Sequence, residues 1–204
     1  METALAPPAS TIRPLLGVGC AGLLSGVLGA LARDDETLRP LAHLIGPWIL
    51  LAVVVSAGQR PERAAVRSAL GLVAAVVAFY AGTGQPSSLR AGQMALWCVL
   101  ALLGGPALGL LFHRIGRHGP SAVVGTASAL GLLIGDVLNE LDRFGSVVTL
   151  YLFALLSIGT VLALSRPTWR RFLVVLVLTL PASAIGLALV AAPDDLEKLL
   201  LTGF

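Results

Sequence analysis

Seven apolar stretches, separated by short gaps that hold most of the charge, constrain this chain more than any other feature. They run approximately over residues 14–32, 41–57, 67–83, 90–112, 120–138, 146–164 and 170–190. A helix needs about 20 apolar residues to cross the hydrocarbon core of a bilayer, so the second and third stretches are near the lower limit. Only 12% of the 204 residues are charged, where a soluble domain carries about a quarter. The expected fold class is all-α, an integral membrane bundle of about seven transmembrane helices forming a single domain over residues 1–204. The gaps are too short for a soluble catalytic or nucleotide-binding domain. Any chemistry must take place within the membrane.

Lysine and arginine report orientation, because cytoplasmic loops retain them. The N-terminus and the gaps after the second, fourth and sixth stretches carry Arg13, Arg60, Arg63, Arg67, Arg114, Arg117, Arg166, Arg170 and Arg171, with Glu2 and Glu62 as their acids. The opposite side carries Arg33, Arg39, Arg90, Arg143 and Lys198 among Asp34, Asp35, Glu36, Asp136, Glu140, Asp142, Asp194, Asp195 and Glu197. This asymmetry predicts the N-terminus inside and a multi-pass location in the plasma membrane. Ala30-Leu31-Ala32 resembles a signal-peptidase site, but the run before it is long and preceded only by Arg13, so the segment is expected to stay as a span. The net charge of +3 is spread over loops, which argues against nucleic acid as a partner.

Within the first stretch, "GVGCAG" matches the dinucleotide fingerprint through Gly17, Gly19 and Gly22. That fingerprint needs a strand before it and an acid about 20 residues on, and here it lies inside a continuous span. The glycines have another use. Gly19, Gly22, Gly26 and Gly29 recur at three, four and three residues, along one helix face. Removing side chains there lets a second helix, from this chain or another copy, approach closely. Cys20 and Cys98 lie in apolar runs as small hydrophobes, and the three scattered histidines make no metal motif. No cofactor is expected.

Polar residues inside a bilayer are costly, which makes each a candidate for function. The fifth stretch closes with "GLLIGDVLNELDRFG" and holds Asp136, Asn139, Glu140 and Arg143. Asp136 lies about 24 Å along a helix begun at Pro120. Spacings of four and three put Asp136, Glu140 and Arg143 on one face. Two carboxylates one turn apart repel when both are ionised, so a protonated acid beside an ionised partner is a candidate proton donor. The alternative is a hydrated helix end in which Arg143 pairs Glu140. On the same side fall His43, Trp48, Tyr80, Gln93, Trp97 and Tyr151. Trp48 and Trp97 sit about 10 Å inside their spans, deeper than an interfacial aromatic belt requires. Pro47, Pro106 and Pro181 fall inside spans and should kink them.

The motifs "GPW" (Gly46-Pro47-Trp48), "AFYAG" (Ala78 to Gly82) and "GGPALG" (Gly104 to Gly109) resemble an actinobacterial family of multispanning proteins, DUF6518. That resemblance covers most of the first five spans and implies a bundle of six or seven helices. In size and span number the chain is also similar to small bacterial membrane-bound terpene cyclases, without a shared motif. The expected function is therefore an intramembrane enzyme, a terpene cyclase, acting on a lipophilic prenyl-type substrate. Asp136 or Glu140 would protonate an alkene or epoxide. Trp48, Tyr80 and Trp97 would face the cation, with Asn139, His43 and Tyr151 as further binding residues. The alternative is a small-solute transporter or its substrate-binding subunit, since the chain resembles in size the binding components of energy-coupling vitamin transporters.

Overall fold

Proline sets where several helices begin. Pro40, Pro47 and Pro61 occupy the first positions of their helices, and Pro120 opens another, because the first-turn N–H that proline lacks would have no intrahelical partner. The computed structural model of the protein describes residues 9–83, 88–144 and 147–202; Glu2, counted above with the arginine-rich loops, lies outside them. The regular structure of the described residues is helical throughout. It comprises α1 (Ala9–Asp34), α2 (Arg39–His43), α3 (Gly46–Ser56), α4 (Pro61–Gly82), α5 (Ser88–Phe112), α6 (Pro120–Phe144), α7 (Val148–Ser165) and α8 (Trp169–Thr202). Among the described residues, six helices are long and apolar enough to cross a membrane, and α3 is a shorter apolar one. Large side chains such as Leu103, Leu155 and Leu180 are about seven-tenths exposed on the outside of the bundle, as lipid-facing residues are.

The second span departs from the expected single helix over 41–57. It is broken into α2 and α3, joined through Leu44 in an extended conformation (φ −67°, ψ 136°). Pro47 is the cause. Its ring would clash with the carbonyl four residues back, and it has no N–H to continue an incoming helix. Pro47 therefore starts a helix where a kink was expected. Pro106 and Pro181 lie inside α5 and α8, which continue past them.

The direction of each pass follows from close approaches at glycine. A Cβ at Gly22 would strike the Gly71 carbonyl oxygen and one at Gly26 that of Ala75, while one at Gly29 would come within 3.2 Å of the Phe79 ring. Residue numbers rise together, so α1 and α4 are parallel. The chain between them must then return across the bundle, which makes α2–α3 a full, broken pass. Gly105 and Gly109 of α5 press against Ala69 and Ala64 of α4, running antiparallel. Gly131 and Gly135 of α6 meet Ala182 and Leu187 of α8, running parallel.

Seven passes result. At one end Arg117 donates to the carbonyls of Gly58 (3.0 Å) and Gln59 (2.9 Å), and Gly58 N–H donates to Ile115 (3.1 Å). At the other, Thr149 donates to the Thr37 carbonyl (3.2 Å). These contacts gather arginine-rich loops at one end and the Asp34–Asp35–Glu36 turn at the other.

The expected glycine face on α1 is present at Gly22, Gly26 and Gly29, but not at Gly19, which has nothing within 4 Å of a built Cβ. Val18, four residues before Gly22, occupies the contact position; its Cγ1 lies 3.4 Å from a Cβ built on Gly71. Gly22→Leu or Gly26→Leu should lower the thermal midpoint of the detergent-solubilised protein by several degrees or prevent folding, through overpacking of about 1–3 kcal/mol or more. Gly19→Leu should leave the midpoint unchanged; equal losses at all three positions would refute this assignment.

Candidate functional site

A helix that starts inside a membrane exposes N–H groups that neither water nor lipid can satisfy. At α3 these are the amides of Ile45 and Gly46. Both donate to Asp136 of α6: Ile45 N–H to Oδ1 at 3.2 Å and Gly46 N–H to Oδ2 at 2.6 Å. The carboxylate is 1% exposed. It caps α3 across the bundle, as an Asp in the preceding residues would do locally, and it lies at the positive end of the helix dipole. Gly46 has to be glycine for this: a Cβ there would fall 2.8 Å from Asp136 Oδ2 and 2.7 Å from the Phe153 ring of α7.

Glu140 lies one turn further along α6 and has different partners. Its Oε1 is 3.4 Å from Arg143 Nη1 and accepts from Asn139 Nδ2 at 3.4 Å. Glu140 is 2% exposed, whereas the Arg143 side chain is 42% exposed. Of the two carboxylates that share a helix face in the sequence, Asp136 thus meets a helix terminus and Glu140 meets a neighbouring arginine and amide.

Beside the α3 terminus is an apolar cleft of about 520 Å³, walled by α3, α4 and α5 on one side and by α6 and α8 on the other. Ile45, Trp48 and Ile49 line it from the first turn of α3, and Trp97 to Leu111 line it along α5. Those fourteen steps of α5 make a slot about 21 Å long. Trp48 and Trp97 meet edge to face at its upper end, centroids 5.8 Å apart at 78°. No lining side chain is charged, and the tryptophan indoles carry the only polar side-chain atoms. Of the buried hydroxyls elsewhere, Thr126 and Thr179 turn to their own helices, to Ala122 and Val175, both at 2.8 Å, and Ser56 donates to the Ala64 carbonyl of α4 at 3.4 Å.

The residues singled out from the sequence therefore separate into groups. Trp48 and Trp97 line the cleft together. Tyr80 is partly buried, packed on the core with its ring 5.4 Å from that of Phe79. Asp136 stands behind the cleft wall with both oxygens turned to α3, and Asn139 and Glu140 continue away from it along α6. His43 ends α2 and is exposed; Tyr151, in the first turn of α7, is 51% exposed.

Sequence reasoning missed the amides of Ile45 and Gly46, and also Phe79, whose ring is edge-on to Trp48 at 6.1 Å and 82°. The signal for the amides was Pro47 in an apolar span: a helix forced to begin there needs an acceptor, and Asp136 is the carboxylate at matching depth.

Removing that acceptor should be costly. Asp136→Ala leaves two buried donors unsatisfied, a loss of roughly 2–5 kcal/mol, to be read as a lower thermal midpoint in detergent. Asp136→Asn keeps one acceptor oxygen and should lose less, while Gly46→Ala should destabilise by pushing the carboxylate away. An unchanged midpoint for Asp136→Ala would contradict the cap.

A protein-family model matches the chain. No curated protein and no solved structure matches the chain. The match covers residues 5–196, the whole run of helices that frames the cleft and the capped half-helix, and it places the chain in the "Family of unknown function (DUF6518)".

Proposed function

We propose that this multi-pass membrane protein takes a lipophilic molecule with a prenyl-type hydrocarbon chain into the cleft between α5 and α6–α8. The observation that carries this reading is the cleft itself, a slot of about 520 Å³ lined by aliphatic side chains and two tryptophans. That volume is in the ordinary range for small-molecule sites. A lining with so few hydrogen-bonding groups suits a hydrocarbon better than a sugar or an ion. The indole faces of Trp48 and Trp97 add dispersion and, for a ligand that develops positive charge, cation–π attraction.

The same geometry weighs the finer alternatives. Acid-initiated cyclisation needs a carboxylic acid facing the substrate, whereas the Asp136 oxygens are engaged by the Ile45 and Gly46 amides. Binding of the chain is the part of the cyclase reading that the geometry supports. Transporters with broken helices use a half-helix N-terminus to hold an anionic solute, and here that position carries the chain's own carboxylate. A lipophilic ligand is therefore favoured over an anionic one. The positive-inside bias supports a plasma-membrane location with the arginine-rich end in the cytoplasm.

Tryptophan fluorescence tests the proposal. In a Trp169→Phe background, which leaves Trp48 and Trp97 as reporters, a brominated prenyl alcohol should quench saturably, and unlabelled farnesol should reverse the quenching. Leu108→Trp, which narrows the slot, should weaken binding about tenfold or more. Quenching that rises linearly with probe, as in simple partitioning into detergent or lipid, would overturn the reading.

A further inference from the structure

A second apolar cavity, of about 600 Å³, lies on the other side of α3, among α1, α2, α3 and α7. Its walls include Leu24 and Leu28 of α1, Leu41 of α2, Phe79 of α4 and Phe153 of α7. One side chain lines both cavities: Trp48. Its indole is edge-on to Trp97, which lines the first cavity, and to Phe79, which lines the second. Trp48 is thus a partition held from both sides. It is also held from below, since it lies two residues after Gly46, whose amide is fixed by Asp136.

Resting on the reading of the cleft as a prenyl-chain site, we infer that Trp48 sets the length of chain the protein accepts. The second cavity is the extension that a longer chain would enter if Trp48 were smaller. The geometry supports this in three ways. The slot runs along α5 from Leu111 to Trp97 and ends against the Trp48–Trp97 pair, so a chain lying in it meets Trp48 at its tip. The space beyond is lined mostly by aliphatic and aromatic side chains, with Ser25 the one hydroxyl-bearing residue among them, so hydrocarbon is the chemistry it would hold. Trp48 is the side chain common to both linings, so truncating it opens one volume toward another of similar size. Asp136 then acts as a positioning residue for specificity, holding the turn that presents Trp48.

The test is a length series. The full-length protein in a Trp169→Phe background, with Trp97 as the reporter common to parent and variants, is titrated with geranyl, farnesyl, geranylgeranyl and longer polyprenyl alcohols, each competing against the brominated probe. In the parent protein affinity should rise with length and then fall sharply at one member of the series. Trp48→Ala should move that ceiling to longer alcohols and improve binding of the first excluded member about tenfold or more, as expected for newly buried methylenes. Adding Ala21→Phe, which fills the second cavity from α1, should return the ceiling to its original place. Trp48→Leu provides the same comparison if the alanine variant does not fold.

An unchanged ceiling in both Trp48 variants, or a shifted ceiling that Ala21→Phe does not reverse, would overturn the inference while leaving the cleft assignment intact. Failure of every alcohol to compete in the parent protein would overturn both.

Discussion

One carboxylate makes this bundle possible. A helix start inside the hydrocarbon layer is forbidden unless something accepts its first N–H groups, and Asp136 reaches from α6 to accept those of Ile45 and Gly46. Burying a charge without partners would be prohibitive, so each side of the contact explains the other. The carboxylate is tolerated because two amides and a helix dipole meet it, and the broken helix is tolerated because a carboxylate is there. α6 is the most enclosed of the long helices, as its place in this contact requires.

Around that contact, shape is set by the absence of side chains. There is little hydrophobic drive between helices in lipid, so close packing has to hold them together. The pairs α1–α4, α4–α5 and α6–α8 each approach at glycine, with a backbone atom or an alanine where a side chain would have been. α4 has small residues on two faces, Gly71 and Ala75 toward α1 and Ala64 and Ala69 toward α5. In contrast, α5 meets α6 and α8 only sparsely, and the apolar cleft lies there. The tight and loose seams thus decide where the bundle is solid and where it can admit a guest.

Much of the architecture was legible in the sequence, since hydropathy alone fixes long helices in a solvent that allows little else. The number of passes and the opposite ends of the arginine and acidic loops follow from it. The break in the second pass was not legible at that level, because two non-helical residues, Leu44 and Ile45, hardly alter the apolarity of their surroundings. Pro47 was the local sign, read as a kink when it marks a start. Asp136 stood out as a carboxylate in an apolar segment, but its partners are backbone amides, which leave no mark in the sequence. Helical spacing identified Gly22, Gly26 and Gly29; Gly19 stands outside the contact with α4, because that contact follows the four-residue ridge through Val18. Trp48 and Trp97 were distinguished by depth; Phe79, the other neighbour of Trp48, was one more apolar residue in an apolar span.

The central claim is that a membrane-buried carboxylate holds the N-terminus of α3, and the amide proton of Gly46 reports on it directly. In the isotope-labelled protein reconstituted in lipid, solid-state NMR should find this proton shifted far downfield, as for a short charge-assisted hydrogen bond. It should also exchange slowly with deuterated water. Asp136→Asn should move the resonance upfield while distant amides, such as those of α8, stay in place. A Gly46 amide with an ordinary shift, rapid exchange and no response to Asp136→Asn would contradict the account.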